Sequence, residues 1–188
     1  KVYLEGGKSA DIEIRFRHPR SNARCRLDWA VPNDKMPDAQ RLMERAVNDG
    51  TKIFIIQSAD EWSEFIAVNS KAVFKDKFFV GTNWLGGVMF NKPHDIFKEL
   101  PVGNALNWPY QALIHTGVER IGLVMEGEEL LVGAYHTYPM AIGTAMGIVP
   151  MGKGSVLFST LDIYGNIIND SAAGLVAKKL IFNMIDFK

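Results

Sequence analysis

Apolar and polar positions alternate with period two from Asp11 to Trp29. Ile12, Ile14 and Phe16 share one face, and Asp11, Glu13, Arg15 and Arg17 share the other. After the turn-forming Pro19-Arg20-Ser21-Asn22, Cys25, Leu27 and Trp29 alternate with Arg24, Arg26 and Asp28, so the stretch predicts an antiparallel hairpin. Val31-Pro32-Asn33-Asp34 ends the pattern, because proline cannot donate to a ladder and Asn and Asp favour turns. A boundary is expected there, separating residues 1–33 from 34–188.

Beyond it the period changes. Ala39, Leu42, Met43, Ala46 and Val47 follow helical spacing, with Gly50 at the C-cap, and predict an amphipathic helix from Pro37 to Asp49. Lys52-Ile53-Phe54-Ile55-Ile56-Gln57 is apolar on both faces, the mark of a central parallel strand covered by helices on each side. Ser58 and Glu61 have capping-box spacing ahead of Trp62, Phe65 and Ile66, so a second helix follows. Phe78 to Gly81 reads as a short strand. Ile121 to Met125 and Leu130 to Tyr135, joined by the acidic turn Glu126-Gly127-Glu128, read as a hairpin, and Ala145 to Met151 with Ser155 to Thr160 around Gly152-Lys153-Gly154 reads as another. A last helix, capped by Asp170, directs Ala173, Val176, Ala177, Leu180 and Met184 to a core. Helix and strand in alternation predict a three-layer α/β domain with partly antiparallel later strands.

Composition narrows the function. With 21 basic and 21 acidic residues the chain lacks the positive field a nucleic-acid partner requires. No apolar run approaches the roughly 20 residues of a bilayer span, so a membrane span is not expected. Lys1 leads straight into the β pattern of Val2-Tyr3-Leu4, and a cut inside a longer polypeptide is the expectation.

Candidate chemistry is sparse. Cys25, the one thiol, alternates inward with Leu27 and Trp29 and reads as an inert core residue. His18, His94, His115 and His136 lack ligand spacing, so no metal and no cofactor are expected. Glu126, Glu128 and Glu129 crowd one turn, where solvated charge is the simplest reading, and Gly152-Lys153-Gly154 suits a hairpin turn better than a phosphate loop. The aromatics are more suggestive. Trp84, Trp108, Tyr110, Tyr135 and Tyr138, together with His136, fall near loops or strand ends and are candidates for carbohydrate binding or a domain interface, with ordinary packing as the alternative.

Two stretches carry family resemblance. Val2 to His18, closing with Leu27-Asp28-Trp29-Ala30-Val31-Pro32, resembles the tail of the protective-antigen-type β-sandwich module, which often recognises carbohydrate beside glycosidase domains. Ala46 to Ile55, Asp95-Ile96-Phe97-Lys98-Glu99-Leu100-Pro101 through Gln111, and Gly152 to Thr160 are similar to the glutamine-amidotransferase-like domains near the C-terminus of some family 2 (β-galactosidase-like) glycoside hydrolases, and more distantly to trehalose-utilisation-type domains. That resemblance implies a three-layer flavodoxin-like α/β domain behind an N-terminal β-hairpin remnant. It also implies a secreted or periplasmic parent glycosidase, whose other domains, and carbohydrate, are the expected partners. Class I amidotransferases place a cysteine in a G-x-C-x-G elbow with a later H-x-E. The nearest elbow here, Gly81 to Gly86, offers Asn83 and Trp84 instead, so a non-catalytic accessory domain, a pseudo-enzyme, is the expectation. A carbohydrate-binding module and a hydrolase with an unrecognised site are the alternatives.

Overall fold

A computed structural model describes residues 39–80, 87–103, 105–106, 108–115, 120–137 and 140–187. All lie in the second of the two units into which the chain divides, Pro37–Lys188. Cys25 and the hairpin expected from Asp11 to Pro32 lie outside the described residues.

Helix α1 (Ala39–Asp49) buries Met43 and Ala46, and Gly50 ends it in the left-handed conformation that favours glycine, φ 76°. Strand β1 (Lys52–Ile55) leads into α2 (Ala59–Val68), then β2 (Val73–Phe79) and β3 (Gly87–Asn91). Short 3-10 turns at Asp95–Phe97 and Trp108–Tyr110 precede α3 (Gln111–His115). Strands β4 (Ile121–Glu126), β5 (Glu129–Thr137), β6 (Met140–Met151) and β7 (Gly154–Ser159) follow, then α4 (Ile163–Ile167) and α5 (Ala172–Asp186).

The strands form one mixed, curled sheet, ordered β1-β7-β6-β4-β2, with β5 pairing β6 and β3. Only β1 and β7 run parallel among the described pairings. The α/β class stands. The central place expected for Lys52 to Gln57 is not seen: among the described strands β1 pairs only β7 and ends the strand order, with Phe54 exposed. Two-faced hydrophobicity marks a strand that touches apolar groups on both sides, and it says nothing of how many strands flank it.

The expected hairpin of β4 and β5 is also revised. Both strands exist, but they use opposite edges of β6. Thr144 is opposite Leu123 of β4 and Gly133 of β5, and Ile148 is opposite Leu157 of β7 and Glu129 of β5. At twelve residues β6 is long enough for β7 and β4 to share one edge while β5 takes the other. Close approach of β4 depends on Gly143, where a Cβ would lie 2.5 Å from the Leu123 carbonyl oxygen.

Two caps differ from expectation. Ser58 is left-handed at φ 53°, whereas a capping serine needs extended backbone, so its side chain makes no cap bond to α2. The cap of α5 is Ser171, which accepts from the Gly174 amide, while Asp170 pairs with Lys178 at 2.9 Å.

Three phenylalanines stand directly opposite glycines on neighbouring strands: Phe78 and Gly122, Phe90 and Gly133, Phe158 and Gly147. A Cβ on those glycines would fall 2.4, 2.2 and 3.0 Å from the facing ring. Each ring therefore fills space that another side chain would occupy, and each pair fixes its register.

The sheet separates two apolar cores. One gathers Met43, Ala46, Ile55, Ile66, Leu123, Val149, Val156 and Phe158 beneath α1 and α2. The other gathers Met89, Ile96, Phe97, Tyr110, Leu131, Ala134, Ile148, Leu157, Val176, Leu180 and Met184 on the side of α3, α4 and α5. Helices thus contribute to the cores on both faces of the sheet.

Candidate functional site: the open face of β3, β5 and β6

The register of β5 against β6 steps from Val132 opposite Met146 to Gly133 opposite Thr144, leaving Ala145 as an extra residue. A bulge places its two residues on about the same side, and Ala145 and Met146 both enter the core below α5. Thr144, Ile142 and Met140 consequently turn to the other face.

That face carries two cross-strand rows. Val88, Tyr135 and Ile142 form one, and Phe90, Gly133 and Thr144 the next. Met140 is 78% exposed, Ile142 64% and Phe90 38%, while Val88 and Tyr135 are half-buried. On the reverse side Met89 and Ala134 are buried in the core. Glu128 borders the second row: its carboxylate accepts the Thr144 hydroxyl at 2.5 Å.

The described candidates are thus dispersed. Tyr135 lies on the open face. His136, the next residue, points to the opposite side of the sheet and is half-buried. Tyr110 is buried, edge-on to Phe97 at 6.4 Å, and its hydroxyl donates to the Pro101 carbonyl at 2.6 Å; Asn91 Nδ2 donates to both, at 3.2 and 2.8 Å. Burial raises the Tyr110 pKa to about 12, with the Asn91 bond acting in the opposite sense. A ring so enclosed has no open face for a sugar. Trp108 opens the second 3-10 turn, but its side chain, like Trp84 and Tyr138, lies outside the described residues.

The rest of the Asp95 to Gln111 segment is likewise held from within. Asn183 Nδ2 on α5 donates to the carbonyls of Ile96 and Lys98, both at 2.9 Å. His94 Nδ1 accepts from the Ile96 amide at 3.2 Å, its ring packs on Phe187, and its Nε2 lies 3.6 Å from Glu129.

The three glutamates expected as a solvated cluster have separate partners: Glu126 pairs with Lys75, Glu128 with Thr144 and Glu129 with His94. Among the described residues no group of three His, Cys, Asp or Glu could hold a metal ion, and no helix is long and apolar enough to cross a membrane.

Val88, Phe90, Met140 and Ile142 escaped the sequence reading. Their signal was present as alternation: Met140 and Ile142 with Ala141 and Gly143, and Val88 and Phe90 with Gly87 and Met89. Comparison with family models, with curated proteins and with solved structures finds no match.

Proposed function

We propose that this chain is a non-catalytic accessory domain of a secreted, polysaccharide-degrading glycoside hydrolase. In this reading residues 34–188 follow an amidotransferase-like, flavodoxin-like plan, and the tail of a β-sandwich module precedes them. The supporting observation is the open sheet face. Val88, Phe90, Tyr135, Met140 and Ile142 form an apolar surface with few polar groups, suited to lie against a neighbouring domain of the same polypeptide. The segment most like the amidotransferase-type domains is meanwhile occupied with internal bonds through Tyr110, Asn91 and Asn183.

The test has two parts. Incubated with glutamine and with aryl-glycosides, the purified chain is expected to turn over neither. Activity that survives purification and disappears in Glu128→Gln or Cys25→Ala overturns the reading. In the parent polypeptide, amides of β3, β5 and β6 should exchange more slowly than in the isolated chain; equal exchange removes the docking role.

Carbohydrate binding is the second reading, favoured by Tyr135 and Phe90 in adjacent rows of an open face. Retarded migration in gels containing soluble polysaccharide, lost in Tyr135→Ala, would select it over domain docking.

A further inference from the structure

Asn169-Asp170-Ser171 has the form Asn-x-Ser with a residue other than proline in the middle, the tripeptide that accepts N-linked oligosaccharide in exported proteins. The pattern occurs once, because no other asparagine of the chain has Ser or Thr two places on. Three residues can match by chance, so the weight falls on how the fold presents them.

The tripeptide forms the connection between α4 and α5, and all three residues are exposed. Asn169 Oδ1 accepts the Ser171 amide at 3.0 Å, so the segment is already bent into a turn that brings the serine back towards the acceptor side chain. Asn169 Nδ2, the atom that would carry a sugar, has no hydrogen-bond partner among the described residues. The backbone around it is by contrast fixed. The Asn169 amide donates to the Asn166 carbonyl at 3.0 Å, and the Asn169 carbonyl oxygen lies so close to Gly174 that a Cβ there would fall 1.5 Å from it. Asparagines that serve the interior use their amide nitrogen inward: Asn166 Nδ2 donates to the Asp162 carbonyl and Asn183 Nδ2 to those of Ile96 and Lys98. Asn169 keeps its own outside. Asp170, the middle residue, pairs with Lys178 at 2.9 Å and so brings no unpaired charge beside the acceptor.

We propose that Asn169 is an N-glycosylation site, an inference that rests on the export of the parent polypeptide. In the transfer, Asn169 Nδ2 bonds to the anomeric carbon of an oligosaccharide carried on a lipid pyrophosphate. The bond from that carbon to the pyrophosphate oxygen breaks, the lipid pyrophosphate leaves, and one amide proton passes to the transferase. Oδ1 keeps its bond to the Ser171 amide, so the turn survives modification. Helix α5 packs on the core that holds Met89 and Ala134, which is the reverse of the open face of β3, β5 and β6. A glycan on the α4–α5 connection therefore leaves that open face to a neighbouring domain.

Secretion of the whole chain from a glycosylating eukaryotic host, behind a signal peptide supplied for the purpose, tests the site independently of where the parent polypeptide resides. A slower-migrating glycoform is expected, which a peptide N-glycosidase collapses to the unmodified band while converting Asn169 to aspartate in the peptide mass spectrum. A secreted chain with Asn169 unmodified overturns the proposal. Asn169→Gln should abolish the glycoform and leaves the Ser171 cap of α5 in place. Ser171→Ala should abolish it as well, whereas Ser171→Thr, which keeps the hydroxyl, should retain it. A glycoform that persists in Asn169→Gln or in Ser171→Ala places the sugar elsewhere and overturns the assignment. Two independent variants keep the question answerable if one of them misfolds, as far-UV circular dichroism will reveal. The location of the parent polypeptide is a separate readout: its recovery, unmodified, from a cytosolic fraction overturns the export reading even where the secreted chain carries the glycan.

Discussion

The sheet has two halves built on one principle and finished differently. Around β7 and the C-terminal part of β6, both faces are covered: Phe158, Val149 and Val156 meet α1 and α2, and Leu157 and Ile148 meet the other core. Around β3, β5 and the N-terminal part of β6, only the core side is covered among the described residues, through Met89, Ala134 and Ala145. Each half contains a phenylalanine opposite a glycine, Phe158 on Gly147 and Phe90 on Gly133. The same pairing is sealed in one half and exposed in the other. The difference separates apolar residues that hold the fold from apolar residues available to a partner.

The sharpest way to break this comparison is to truncate both rings. Phe158→Ala should cost about 3–5 kcal/mol, the range for a buried phenylalanine, and Phe90→Ala about 1 kcal/mol, because much of its area already meets water. Urea denaturation measures both, and equal losses would show that the two halves are not distinct. Next in size, Asn183→Ala should cost about 1–3 kcal/mol by leaving the Ile96 and Lys98 carbonyls without their donor.

Tyr110 gives the comparison a pH axis. Its folded pKa, about 12, exceeds the ordinary value of 10, so folding favours the neutral phenol. That stability is fully present below pH 10 and is lost as pH rises towards 12. Melting temperature should fall over this window, and Tyr110→Phe should flatten the fall while costing about 1 kcal/mol at neutral pH through the lost bond to Pro101. Smallest of all, Ile142→Thr should change stability by no more than about 0.5 kcal/mol in the isolated chain, since that side chain is largely exposed. A loss comparable with that of Phe158→Ala would mean that the face is already covered within the chain.

Periodicity made the elements legible. The helix ending at Gly50, the strand at Ile53, the helix carrying Trp62 and the Gly152-Lys153-Gly154 turn all appear where the pattern put them. Partners were less legible, because alternation reports which side of a strand is apolar and carries no record of which edge meets which strand. Hence β1 looked central and β4 looked paired with β5. The open face was hidden for a related reason. The bulge at Ala145 reverses the alternation halfway along β6, so Met140 and Ile142 cannot be assigned to a side by extrapolating from Met146 and Ile148. Tyr135 entered the candidate set through its aromatic character, and Tyr110 entered by the same criterion although its environment is internal.

The parallel pairing of β1 with β7 has a kinetic consequence. Lys52 and Ser155 are neighbours in the sheet although about a hundred residues separate them along the chain, and bringing such distant segments together carries a loop-closure entropy that local pairings avoid. Strands β5, β6 and β7 follow one another closely and pair in sequence, so they are suited to assemble first and present the β7 edge as a template. Strand β1 then joins late. On that order, weakening contacts at Ile55 would accelerate unfolding while leaving the refolding rate almost unchanged, and weakening those at Ile148 would retard refolding itself.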